Sequence, residues 1–179
     1  MGIVHNVTCQ ITDILGFKKQ EIIGHKVRKI QPQVWGERHY TNLMRYFITL
    51  NATVIGIERP IFPIDTNGYL VGVMMFVKIL PELTNGVEVV GFLNSFPPRQ
   101  EGEADVHWML LNIKDGVVMG ITENFYTSFG MPSQFTYGFA STSNQMTLDT
   151  ICPELMALKG TEQIKSPAGN ICSIDTTII

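Results

Sequence analysis

The sequence predicts an α+β fold, an antiparallel β-sheet flanked by short helices, from three observations. Apolar residues keep helical spacing through residue 48, the period then changes to that of strands, and two Asn-Gly pairs divide the later stretch into three runs. In order, Ile3-Val4-His5-Asn6-Val7 reads as a short strand, and Ile11, Ile14 and Leu15 keep helical spacing up to a Gly16 stop. A second short helix covers residues 19–23 and ends at Gly24. After Pro32, the spacing of Tyr40, Leu43, Met44, Phe47 and Ile48 marks the longest helix, residues 37–49, with its apolar stripe facing a core. Asn67-Gly68 and Asn85-Gly86 then separate runs at 53–64, 69–80 and 87–96, which predict an antiparallel meander. In the middle run Tyr69, Val71, Val73, Met75, Val77 and Ile79 share one face and Leu70, Gly72, Met74, Phe76 and Lys78 the other. Neither face is polar, so one is expected to cover the helices and the other, through Leu70, Met74 and Phe76, to meet another element or chain.

With 179 residues, 45% of them hydrophobic, the chain can bury one good core or two small ones, and disorder is excluded as its main state. Charged residues make up 16%, below the roughly 25% usual for soluble domains, which leaves surface apolar enough to meet a partner. Thirteen Lys and Arg against sixteen Asp and Glu leave a net charge of −3, with no basic footprint for nucleic acid and no polybasic membrane patch. No apolar run approaches the roughly 20 residues of a spanning helix and no signal peptide opens the chain, so a cytoplasmic fragment without membrane contact is expected. Cys9, Cys152 and Cys172 are odd in number and form no CxxC pair, and His5, His25, His39 and His107 share no ligand spacing, so no metal is expected. GxSxG, HExxH and the glycine-rich phosphate loop are absent, and no residue is assigned a catalytic role.

An internal repeat organises the chain. Residues 2–17, GIVHNVTCQITDILGF, lie without a gap on residues 116–131, GVVMGITENFYTSFGM: Gly2/Gly116, Val4/Val118, Thr8/Thr122 and Gly16/Gly130 are identical, and Ile3/Val117, Val7/Ile121, Ile11/Phe125 and Leu15/Phe129 stay apolar. The second copy is preceded by a strand-like His107-Trp108-Met109-Leu110-Leu111-Asn112 and a Lys114-Asp115-Gly116 turn, for which the first copy has no counterpart. The expected layout is a first domain at 1–97 lacking its first strand, a linker at 98–105, and an incomplete second copy at 106–179.

The order strand, short helix, turn, longer helix and three-stranded meander resembles the PAS domain. The residues that carry the likeness are Asn6, Ile14-Leu15-Gly16-Phe17, Glu21-Ile22-Ile23-Gly24, Pro32 and Val54-Ile55-Gly56-Ile57-Glu58-Arg59. In the second copy it rests on residues 107–131, with Ile151-Cys152-Pro153 answering Ile30-Gln31-Pro32 after a longer Ser/Thr-rich insertion. The resemblance implies a tandem sensory and signal-transduction module rather than an enzyme. Its partners would be proteins, through dimerisation or a downstream effector domain, and its pocket would lie between the helices and the inner sheet face. Leu43, Met44 and Phe47 with Val71, Val73, Met75 and Val77 are the expected lining, suited to a small apolar ligand.

Residues 38–59 also resemble the haem-binding PAS domain of bacterial oxygen-sensing histidine kinases. That likeness implies haem as the alternative cofactor, with His39 on the iron, Arg45 near the propionates, Arg59 donating to bound oxygen, and Met75 and Val77 as apolar distal residues. Two departures stand against it: Thr53 replaces a propionate-holding histidine, and Ile64-Asp65-Thr66 replaces a basic stretch. His39 also falls beside, rather than within, the apolar stripe of its helix. No bound cofactor is therefore the primary expectation.

Overall fold

A computed structural model of the chain describes residues 2–51, 55–82, 86–96, 106–112, 115–130, 146–151, 162–165 and 171–174. The chain is α+β: α1 (Gln10–Leu15), α2 (Lys19–Ile22), a 3-10 turn (Val27–Ile30), α3 (Gln33–Thr49), β1 (Arg59–Ile61), β2 (Val73–Glu82), β3 (Gly86–Ser95), β4 (Met109–Leu111), β5 (Val118–Ile121), α4 (Glu123–Ser128), α5 (Leu148–Ile151), β6 (Glu162–Lys165) and β7 (Ile171–Ile174). Among the described residues the named strands pair antiparallel. Two compact units form, one from Met1–Asn67 and Val71–Ala104, the other from Gly68–Leu70 and Asp105–Ile179.

In the first unit, Ile11 and Leu15 stand one helical turn apart and are both buried. Gly16 ends α1 in the left-handed region at φ 76°, and its N–H donates to Thr12 O at 2.9 Å. A Cβ there would lie 2.8 Å from Thr66 Oγ1, so glycine serves both the conformation and the close approach. Ile11, Leu15, Phe17 and Ile22 form a buried cluster, and Val4, Val7, Ile14, Ile30, Val71 and Leu93 pack against it. The strand expected at residues 3–7 is reduced to a bridge between Ile3 and Lys26, with the Val4 amide donating to His25 O at 2.9 Å.

The long helix starts a turn earlier than its apolar spacing predicts. Pro32 caps it, and the amides of Trp35 and Gly36 donate to the Pro32 carbonyl at 3.0 and 2.9 Å. Its stripe is not a buried seam: Leu43, Met44 and Phe47 are half-buried, whereas Tyr40 is 56% and Ile48 77% exposed. Ile48 lies about 80° round the helix from Tyr40, at the flank of the stripe and in the last turn, where fewer neighbours reach it.

The meander expected from the two Asn-Gly signals is present, with β2 between β1 and β3. β2 and β3 pair over their full length, from Val73 opposite Ser95 to Glu82 opposite Gly86. The outer runs are trimmed. The 53–64 run breaks at Gly56 (φ 77°), whose N–H donates to Val77 O at 2.8 Å beside a parallel Ile55–Val77 bridge, and among its described residues Arg59–Ile61 pairs antiparallel with β2. Pro60, which has no N–H to give, sits on that edge strand. The 69–80 run becomes regular only at Val73, because Tyr69 and Leu70 are buried within the second unit, where the Leu70 amide donates to Ile121 O at 2.8 Å.

The second unit repeats most of the backbone bonds that open the first, although Gly130 donates to Thr127 O at 3.2 Å where Gly16 donates to Thr12 O. Gly2 and Gly116 both have positive φ, at 75° and 67°, and each carbonyl accepts a hydrogen bond at 2.8 Å, from Val27 and from Leu148. Val4 donates to His25 O at 2.9 Å and Val118 to Met146 O at 2.8 Å; Ile3 bridges Lys26 and Val117 bridges Thr147. Ile11 and Leu15 are buried as are Phe125 and Phe129, and Gly16 and Gly130 both have positive φ. Gly2 to Val27 spans 25 positions and Gly116 to Leu148 spans 32, a difference of seven that places α5 on the 3-10 turn and Ile151 on Ile30. Beyond that, β6 and β7 form a short hairpin.

Candidate functional site

The β2–β3 hairpin presents two apolar faces, because directly opposed residues of an antiparallel pair share a face. On one lie Val73, Met75 and Val77, opposite Ser95, Leu93 and Gly91, with Arg59 of β1 opposite Met75. Val73 is fully buried, Met75 and Val77 are half-buried, and Leu93 and Val71 pack on the helical cluster, so this is the inner face. It opens at its far half: a Cβ on Gly91 would meet nothing within 4 Å, and Val89, opposite Ile79, is 47% exposed. Of the expected pocket lining, the strand residues Val73, Met75 and Val77 share this face. Leu43, Met44 and Phe47 lie half-buried on α3, where the Phe47 ring packs edge-on to Tyr46 at 5.5 Å.

The outer face carries Met74, Phe76, Lys78 and Leu80, opposite Asn94, Phe92, Val90 and Glu88. The Phe76 and Phe92 rings are 6.3 Å apart, and Lys78 Nζ lies 5.5 Å from the Phe76 centroid. Phe92 is 48% and Leu80 46% exposed, with Met74 and Phe76 half-buried, so apolar side chains stand in solvent on this face, interrupted by Lys78 and Glu88. Leu70, expected on this face, is not on it. It is 3% exposed and lies in the second unit, where a Cβ on Gly120 would come within 3.0 Å of its side chain. Phe92, from the third run, takes the place in the patch that sequence reasoning gave to Leu70.

The residues tied to the haem resemblance are placed as follows. His39 is half-buried on α3 beside Gly2, whose Cβ position lies 3.9 Å from the imidazole Cε1; burial holds its pKa below the usual histidine value. Arg45 is exposed, and Arg59 is half-buried with its Nε out of solvent. Thr53 and Val54 lie outside the described residues.

Two arrangements were not anticipated. Trp35, Phe62 and Phe96 form a row with centroid spacings of 6.5 and 6.4 Å, and a Cβ on Gly72 would overlap the Phe96 ring. An isolated glycine within a strand-like apolar run is the signal that could have revealed this close approach. In the second unit, His107 Nε2 lies 3.2 Å from Ser128 Oγ and its ring meets Phe125 edge-on at 6.4 Å, while Phe125 stacks on Phe129 at 4.2 Å. Among the described residues no group of His, Cys, Asp and Glu could hold a metal ion, and no helix is long and apolar enough to cross a membrane. The free Cys9 thiol is exposed at the start of α1. No protein-family model matches the chain, and no curated protein matches it.

Proposed function

We propose that the chain is a tandem sensory and signalling module of the PAS type that acts through protein–protein contacts rather than by catalysis, with an inner face suited to a small apolar ligand. The observation that carries the reading is the solvent-exposed apolar outer face of β2–β3. The element order supports it: bridge strand, short helices, 3-10 turn, long helix, then a three-stranded meander, with the opening elements used twice. Its partner is a second copy of the chain or an effector domain of the same protein.

Phe92, 48% exposed, leaves about 100 Å² of ring to bury, worth about 2.5 kcal/mol at ~25 cal/mol per Å² before ordering costs. Sedimentation equilibrium on the wild type and on Phe76→Asp and Phe92→Asp tests this. Reversible self-association weakened at least about tenfold by either change, with unaltered far-UV CD, is expected. A wild type that stays monomeric at high concentration and captures no effector domain would sink the reading. Hemin added to the purified chain is expected to give no protein-bound Soret band. A band that disappears in His39→Ala would replace the apolar-ligand reading with an oxygen- or redox-linked haem sensor.

A further inference from the structure

The loop that carries the chain from β1 toward β2 holds an asparagine followed by glycine, and the fold leaves the reacting groups of both residues free. Asn67 and Gly68 are exposed, and neither the Asn67 carboxamide nor the Gly68 N–H makes a hydrogen bond to another described residue. Gly68 has φ 89°, a Cβ there would meet nothing within 4 Å, and glycine puts no side chain of its own beside its nitrogen. The backbone around the pair is held instead. The Asn67 amide donates to Asp65 Oδ1 at 2.8 Å, the Thr66 amide to Leu15 O at 3.2 Å, and the Val71 amide to Pro63 O at 2.8 Å, which closes the loop. Asn6 and Asn112 are built differently. Val7 donates its N–H to Asn6 Oδ1 at 2.9 Å, Asn112 Nδ2 donates to Asp115 Oδ2 at 3.0 Å, and the residues that follow them, Val7 and Ile113, are β-branched.

We infer that Asn67 is a site of spontaneous covalent modification, converted by water to isoaspartate and aspartate, and that the isoaspartate form releases Thr66 from the end of α1. The Gly68 nitrogen gives its proton to hydroxide and attacks Asn67 Cγ. A new N–Cγ bond forms, the Cγ–Nδ2 bond breaks, and ammonia leaves with a proton taken from water. The product is a cyclic imide. Water then opens the ring at either carbonyl: breaking the new N–Cγ bond gives aspartate, and breaking the original peptide bond gives isoaspartate, whose main chain runs on through Cβ and Cγ. The net reaction consumes water and releases ammonia, with no oxidant or reductant. Isoaspartate lengthens the main chain between Thr66 and Gly68 by one methylene, inside a loop whose ends are tied at Pro63 and Val71. Thr66 has no slack to absorb it, because its Oγ1 already lies 2.8 Å from the Cβ position of Gly16. Its 3.2 Å bond to Leu15 O, the longest of the three that hold the loop, is the one to give way. The inference is independent of the PAS reading and of the β2–β3 outer face.

Peptide mapping by mass spectrometry on the whole chain aged in neutral buffer tests the first half, with isoaspartate-specific methylation to separate the two products. A synthetic peptide of residues 63–71 gives the rate without the fold. Asn67 in the folded chain should convert within about tenfold of the peptide rate, whereas Asn6 and Asn112 should convert at least about tenfold more slowly than Asn67. Residue-resolved amide hydrogen exchange tests the second half. In the isolated isoaspartate form the Thr66 amide should exchange about tenfold faster than in the fresh chain. Asn67→Asp, which has the new charge without the added methylene, should exchange at Thr66 as the fresh chain does. The inference is overturned if the fold slows Asn67 by more than about tenfold against the peptide, or if Asn6 or Asn112 converts as fast as Asn67. It is also overturned if Thr66 is as protected in the isoaspartate form as in the fresh chain, or if Asn67→Asp loosens it equally.

Discussion

Replacing Gly16 by alanine separates two demands that meet at one residue. Gly16 and Gly24 both have left-handed backbone, φ 76° and 79°, but a Cβ at Gly16 would lie 2.8 Å from Thr66 Oγ1, whereas one at Gly24 would meet nothing within 4 Å. The left-handed conformation costs alanine about 1–2 kcal/mol, partly offset by about 0.4–1 kcal/mol from a less flexible unfolded chain. Gly24→Ala should therefore lose about 0.5–1 kcal/mol. Gly16→Ala should lose that and about 1 kcal/mol more, because Thr66 must leave a rotamer or the turn must shift. Thr66 is exposed, so Thr66→Ala alone should change stability by less than about 0.5 kcal/mol, yet in the Gly16→Ala background it should recover the added loss. Urea unfolding read by Trp35 fluorescence, with Trp108→Phe so that only the first unit reports, gives all four corners of the cycle. Equal losses at Gly16 and Gly24, or no recovery in the double variant, would refute the reasoning.

Four further outcomes are expected. Burial lowers the His39 pKa below 6.5, so the folded unit holds fewer protons than the unfolded chain. Its contribution is therefore present above about pH 6.5 and lost as pH falls below it. The urea midpoint should drop between pH 7.5 and 5.5, and less so in His39→Gln; an unchanged slope in the variant would contradict this. Leu15→Ala should cost about 2–5 kcal/mol in the first unit and Phe129→Ala about 3–5 kcal/mol in the second, each read by the tryptophan of its own unit. Leu70→Ala should destabilise the second unit by about 2–5 kcal/mol and leave self-association unchanged, the reverse of what an outer-face residue would do. Gly72→Ala should destabilise the first unit, since its Cβ would overlap the Phe96 ring, and Phe96→Leu in that background should recover part of the loss.

Local chemistry was legible in the sequence wherever neighbours along the chain decide the outcome. Gly16 ends α1, Gly24 turns the chain after α2 and Pro32 precedes α3, because each rests on backbone sterics that need no distant partner. The repeat was legible for the same reason: glycines at both ends and apolar residues between them impose the same bridge, helix and stop twice. Tertiary structure decided the rest. Strand alternation put Leu70 with Met74 and Phe76, but Leu70 found its partners at Ile121 and Gly120, across about 50 positions that no local pattern spans. Helical spacing named the stripe on α3, yet Tyr40 and Ile48 remain in solvent because burial depends on which elements reach the helix. The two faces of β2–β3 are equally apolar in sequence. Only the packing of Val71 and Leu93 on the Ile11 cluster makes one of them the inside, and so leaves Phe76 and Phe92 on the other.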